Sequence, residues 1–176
     1  MKTARVATLL LVVFAAGTVC GRLSRGSDSG PLGTDEVIQV GIVVNDIEKA
    51  SRAYAELLGR KVPAWSLTDT VDKAHTLFRG EPSAARAKLA FFQLNNINVE
   101  LIEPVGGPST WREFLDEHGE GVHHIAFEVK RMEEKVRLLE ESGLPLLQKG
   151  DYEGGRYAYV DGATRFAVIL ELLENY

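Results

Sequence analysis

Cysteine is almost missing from this sequence: Cys20 is its single copy. Everything after residue 20 is without a thiol, which excludes an intrachain disulfide and a cysteine-ligated zinc site there. A basic surplus is missing too. Lys and Arg number 20 against 25 Asp and Glu, for a formal charge of −5. That argues against nucleic acid as a partner, because phosphate binding needs a basic face. Also lacking is a hydrophobic run long enough to cross a bilayer comfortably as a helix. The longest, Val6 to Cys20, has fifteen residues, against about twenty for a spanning helix.

What is present at the start fits a signal-peptide core better. Lys2 and Arg5 precede the apolar run, and Ala15-Ala16-Gly17 offers small residues for cleavage. Cys20 invites a lipoprotein reading, although Val19 before it is bulkier than that processing usually accepts. Residues 1–20 are therefore expected to be a signal peptide or an N-terminal anchor. Residues 21–34, rich in Ser and Gly, are expected to be a flexible tether, and 35–176 a single domain. The expected location is exported: periplasmic, secreted, or held to a membrane by the N-terminal segment. Removing residues 1–20 takes away two basic groups and no acid, moving the charge from −5 to −7.

The rest of the chain is written twice. Val37 to Val44 reads as a strand, and Asn45 with Glu48 reads as a capping box opening a helix. Ile47, Ala50, Tyr54, Leu57 and Leu58 recur at helical spacing, and Gly59 is a natural stop. Val122 to Val129 repeats the strand. Met132, Val136 and Leu139 repeat the helix face, and Gly143 ends it. Overlaying Gln39–Val44 on His124–Val129 gives an offset of 124 − 39 = 85; overlaying Val99–Glu103 on Leu170–Glu174 gives 171 − 100 = 71. The first copy thus carries 85 − 71 = 14 extra residues, placed in the polar stretch Thr68 to Ala87.

Each copy reads strand, helix, three strands. The further strands are expected at Val62 to Leu67, Ala87 to Leu94 and Ile97 to Glu103, then at Leu146 to Lys149, Arg156 to Val160 and Phe166 to Leu173. Thr110 to His118 reads as a connecting helix with Thr110 and Glu113 as its capping box. The fold class is α+β: two βαβββ modules, about 37–103 and 122–174, forming a curved mixed-sheet cup with helices outside. The cup closes within one chain or by exchange of modules in a homodimer.

Four polar residues interrupt apolar runs at equivalent places: Gln39 and His124 on the opening strands, Glu100 and Glu171 on the closing ones. A buried charge is unfavourable unless paired or metal-bound. A twofold relation between the copies would bring the four together. One imidazole, two carboxylates and an amide oxygen form a hard set that suits a divalent Zn, Ni, Co, Mn or Fe, with two positions left for water or substrate. Gly41 and Ala126, on the same faces, would leave room for a ligand. Taken singly, such residues are more often solvated or merely hydrogen-bonded. Glu103 and Glu174 are expected to face water, His75 and His118 to be solvated, and His123 to be a rim or core histidine.

The stretch Val99-Glu100-Leu101-Ile102-Glu103-Pro104, then Phe114-Leu115, then Gly119 to Val129 with His123-His124-Ile125-Ala126-Phe127, resembles the vicinal-oxygen-chelate (glyoxalase, bleomycin-resistance, dioxygenase) superfamily. In motif it looks like the methylmalonyl-CoA epimerases, across Val37 to Glu174. Those enzymes usually have His where this chain has Gln39; Gln, Glu, His, Glu in that order is similar to glyoxalase I. The resemblance implies abstraction of a proton next to a metal-bound carbonyl of a small molecule, in an isomerase or lyase, with Glu171 or Glu100 as the base.

Neither activity carries over whole. The epimerases place a glutamate where this chain has Ser83-Ala84-Ala85, with Glu81 a shifted substitute. Glyoxalase I places glutathione-binding Asn and Arg where this chain has Pro104 and Glu120. An exported enzyme would also rarely meet acyl-CoA. A non-catalytic small-molecule-binding protein is the alternative. A ring-cleaving dioxygenase ranks below both, because Gln39 removes one of its two histidines.

Overall fold

The computed structural model describes residues 30–176. The expected signal or anchor segment lies outside the described residues, as does most of the tether. Among the described residues no helix is long and apolar enough to cross a membrane.

The first module is β1 (Gln39–Val43), α1 (Ile47–Leu58), β2 (Ser66–Leu67), an insertion, β5 (Ala85–Gln93) and β6 (Asn98–Gly106). The insertion holds α2 (Val71–Ala74), β3 (Leu77–Phe78) and β4 (Glu81–Pro82). After the connecting helix α3 (Thr110–His118) come β7 (Gly121–Glu128), α4 (Met132–Glu141), β8 (Leu146–Tyr152), β9 (Gly155–Val160), α5 (Ala163–Phe166) and β10 (Ile169–Asn175). All ten strands form one mixed sheet, curled into a half-barrel, in the order β2-β5-β6-β1-β7-β10-β9-β8-β3-β4. The order β2-β5-β6-β1 is mirrored by β8-β9-β10-β7, so the two modules meet at the antiparallel β1–β7 pair. The cup is complete within one chain.

Several boundaries differ from expectation. The second strand shrinks to Ser66–Leu67. The last begins at Ile169, because Ala163–Phe166 is a helical turn. Asp46, one residue beyond the expected cap, accepts from the Glu48 and Lys49 amides, while Ser109 caps α3. Glu113, the expected capping-box acid, instead pairs with Arg79 at 2.9 Å.

The insertion falls inside the Thr68 to Ala87 stretch, and it acts as a strap. It leaves one edge of the sheet at Leu67, pairs Leu77 and Phe78 with Lys149 and Gln148 at the other edge, and returns to β5 at Ala85.

Strand alternation divides the side chains. On the outer face, α1 packs Ile47 and Ala55 against Leu101, Ala90 and Phe92. α4 packs Met132, Val136 and Leu139 against Leu172, Ala158 and Val160. Fully buried side chains such as Ile47, Leu101 and Leu172 each stabilise the fold by about 1.5–3 kcal/mol. Glu103 and Glu174 also belong to this face and do not face water. Glu103 accepts from the Ile47 amide and pairs with Lys88 at 2.6 Å. Glu174 accepts from the Arg131 and Met132 amides and pairs with Arg156 at 2.6 Å. In both modules a closing-strand glutamate thus serves the helix N-terminus, where unpaired amides and the helix dipole favour an anion. The inner face holds Val43, Ala87, Ile102 and Tyr159, and α3 packs Trp111 against them.

Candidate metal centre

Gln39, Glu100, His124 and Glu171 come from the four central strands β1, β6, β7 and β10, and all four are buried. Gln39 Nε2 donates to Glu100 Oε2 at 3.0 Å and to Glu171 Oε2 at 3.2 Å. His124 Nε2 lies 3.0 Å from Glu171 Oε2 and 3.4 Å from Glu100 Oε2. It has no properly directed hydrogen bond among the described residues. Two carboxylates, an imidazole nitrogen and an amide therefore crowd one point, and the imidazole nitrogen among them is left without a directed hydrogen bond. Adjacent ligand atoms of an octahedral ion, at about 2.1 Å from it, are about 3.0 Å apart. The donor set and its spacings fit a divalent cation, with the Gln39 amide turned to present its oxygen.

The electrostatics agree. Burial pulls the His124 pKa down, but the carboxylates of Glu171 and Glu100 outweigh it and raise it to about 10. Burial raises the Glu100 pKa, with Glu171 adding to the effect and His124 opposing it. The group holds a proton where a cation would serve better.

His124 reaches this point because of two local features. Opposite Gly41 the β1–β7 register slips: Gly41 faces His124 and Ile42 faces Val122, so His123 is an extra residue on β7. This bulge buries both histidines. His123 Nδ1 lies 3.0 Å from His124 Nδ1. Burial and the neighbouring His124 hold the His123 pKa well below its usual range. A neutral His123 would take the Nδ1–H of His124 and so leave Nε2 of His124 free to serve as a ligand atom. Gly41 is the second feature. A Cβ on it would overlap the His124 imidazole. The space that the small residue provides is thus taken by the histidine and not by a ligand.

The cup beside this centre encloses about 400 Å³. Phe91, Trp111, Tyr152, Tyr157 and Tyr159 line it, with Ala74 and Thr76 of the strap forming part of the wall. Trp111 Nε1 donates to Tyr159 Oη at 3.1 Å. Gln148 Nε2 donates to Tyr157 Oη at 3.0 Å, and its Oε1 accepts from the Thr110 amide at 2.9 Å. Burial pushes the Tyr157 hydroxyl up to about 12 and raises that of Tyr159 well above its usual range, so both remain protonated. These aromatics, Gln148 and the rim residue Glu153 were not singled out from sequence. Aromatic alternation along Arg156–Val160 was the available signal, and it reads equally as ordinary core. Glu81 is exposed on β4 and is not among the residues lining the cup, so it does not replace the glutamate absent at 83–85. His75 pairs with Asp151 at 2.8 Å on the surface, and His118 is exposed beside Glu117.

Comparison with known proteins agrees with this architecture. Residues 38–160 match the Glyoxalase/Bleomycin resistance protein/Dioxygenase superfamily model. The chain is 28% identical over 138 residues to the uncharacterized protein YqjC of Bacillus subtilis (strain 168), covering 77% of this chain and 89% of that one. It is 30% identical over 119 residues to an ethylmalonyl-CoA/methylmalonyl-CoA epimerase of Cereibacter sphaeroides, covering 67% and 78%. Similar solved folds include a hypothetical protein, BH1468, from Bacillus halodurans C-125, with TM-score 0.57 at 23% identity, covering 80% of this chain and 94% of that one. Another is methylmalonyl-CoA epimerase from Mycobacterium tuberculosis, with TM-score 0.54 at 22% identity, covering 80% and 88%. The repeat, the curled sheet and the family match lead to one conclusion: the chain belongs to the Glyoxalase/Bleomycin resistance protein/Dioxygenase superfamily.

Proposed function

We propose that this protein is a divalent-metal-dependent isomerase or epimerase that moves a proton at the carbon next to a carbonyl. The observation that carries this reading is the convergence of Gln39, Glu100, His124 and Glu171 at the floor of a roomy cup. These four residues would hold the ion; Zn, Ni, Co, Mn and Fe all suit the set. When bound, it would supply Lewis acidity to a substrate oxygen and so acidify the neighbouring C–H. Similarity to epimerases of acyl-CoA substrates supports the proton-transfer class.

The chain's own groups then do the rest. Glu171 takes the proton from carbon onto a carboxylate oxygen, and the electron pair of the broken C–H bond moves toward the carbonyl oxygen. Return of the proton to the other face inverts the centre; return to the neighbouring carbon isomerises the substrate. Glu100, whose pKa burial raises, stands on the adjoining side and is the second proton carrier. The apolar walls exclude water from the exposed carbanion. The basic and apolar start of the chain supports export, and mass spectrometry of the native N-terminus tests it: a retained Met1 on a soluble protein refutes it.

The main test is Glu171→Gln, which keeps the size and an oxygen donor. It should retain most metal affinity and lose about 10²–10⁴-fold in deuterium exchange at a carbon next to a carbonyl. Exchange that survives this substitution assigns the base to Glu100. Full metal occupancy without exchange on any carbonyl compound overturns catalysis in favour of small-molecule binding.

A further inference from the structure

We infer that the part of the substrate beyond its reacting carbonyl is uncharged and aromatic. This inference rests on the proton-transfer reading for the carbonyl itself, while the cup walls argue the remainder independently.

Five of the chain's fourteen aromatic residues line this one cavity. Trp111 and Tyr159 meet edge to face at 5.9 Å, and Tyr157 stacks on Trp111 at 6.1 Å. Gln148 and Tyr159 fix these rings by the hydrogen bonds described above. Rings with little remaining freedom give a preformed apolar surface on which a planar group stacks.

Charge is placed to the same end. No lysine or arginine lines the cup among the described residues. The reason is strand alternation. On β5, Ala85, Leu89 and Phe91 point in while Arg86 and Lys88 point out; on β9, Tyr157 and Tyr159 point in while Arg156 points out. The outer cations are already engaged. Arg86 donates to the Thr68 carbonyl, Lys88 pairs with Glu103, and Arg156 pairs with Glu174 and Glu133. Charged lining comes only from Glu100, Glu171 and Glu153. A dication at the floor would be neutralised by the first two, and Glu153 repels anions at the mouth. A carboxylate or phosphate buried here would have no counter-charge. The phosphates of a coenzyme A thioester would have to remain outside, beside Glu153 and the half-exposed Phe91 and Tyr152.

The test uses Trp65→Phe, which leaves Trp111 as the single tryptophan and a reporter inside the cup. Trp65 is partly exposed and outside the centre. Titration calorimetry and Trp111 fluorescence are run on the metal-loaded and the chelator-stripped protein. The probes are 1-phenyl-1,2-propanedione, its para-methyl and para-carboxylate derivatives, and methylmalonyl-CoA. The two uncharged diones should bind at least tenfold more tightly than the para-carboxylate and the thioester. Leu89→Lys, which places a cation in the wall, should narrow or reverse that gap. Equal or tighter binding of the para-carboxylate or of methylmalonyl-CoA overturns the inference, as does no binding by the uncharged diones. A protein that holds no ion yet keeps the preference for the uncharged aryl diones overturns the proton-transfer reading alone. One that holds the ion and exchanges protons but prefers the thioester overturns this inference alone.

Discussion

Gly41→Ala should dismantle the candidate metal centre although none of its four polar residues is substituted. Gly41 lies in the middle of β1, opposite Glu100 on one side and His124 on the other. A Cβ there would fall within the His124 ring, where even 3 Å would be too close. Strand backbone held by pairing on both sides cannot withdraw far, so the imidazole has to leave. Overpacking of this kind destabilises by about 1–3 kcal/mol, which for a chain of this length lowers Tm by about 2–12 °C. Loss of an outer-shell partner weakens metal binding by about 10–100-fold, and loss of the ligand itself should exceed that range. Gly121→Ala is the control: it lies on β7, across from Val43 of β1, and would meet only the Phe114 ring, at an ordinary 3.6 Å. Metal affinity by calorimetry and Tm by circular dichroism are measured on both variants. A Gly41→Ala protein that binds metal within threefold of the parent refutes the argument that this glycine exists to seat His124.

Three more outcomes follow from the same geometry. Because His124 in the metal-free fold titrates near 10, it is protonated at pH 7 and must lose its Nε2 proton to bind an ion. Calorimetry in buffers of different ionisation enthalpy should show about one proton released per ion, with affinity rising about tenfold per pH unit between 7 and 9; release of none refutes it. His123→Phe keeps the ring packed against Phe114 and Tyr159 but removes the acceptor for His124. It should weaken metal binding by about 10–100-fold, and unchanged affinity would show that His123 only fills space. Gln148→Leu leaves the buried Thr110 amide without its partner, while the Tyr157 hydroxyl keeps Thr76, and chemical denaturation should show a loss of about 1–3 kcal/mol for the unsatisfied amide.

Much of the fold was legible because it is written in local periodicity. Offsets of 85 and 71 between matching segments placed both modules and sized the insertion, its polar composition located it, and capping chemistry marked the connecting helix. The same overlay selected Gln39, Glu100, His124 and Glu171, since a charge interrupting an apolar strand at two equivalent positions is hard to explain as solvated. Helix caps were misplaced by one residue because Asn45 and Asp46, or Ser109 and Thr110, are chemically equivalent candidates, and backbone angles decide between them. Glu103 and Glu174 were misread because their partners, the α1 and α4 amides, Lys88 and Arg156, come from other elements.

The sequence by itself determined the two repeated modules and the four polar residues that share one register, because period and residue type are local properties. Tertiary structure decided the rest. The slip opposite Gly41 that turns both histidines inward depends on how two strands some 80 residues apart are paired. The strap became the far edge of the sheet only because curling brings β8 within reach of Leu77. The outward side of every wall-strand cation, and hence the uncharged cup, follows from which face of each strand the helices cover.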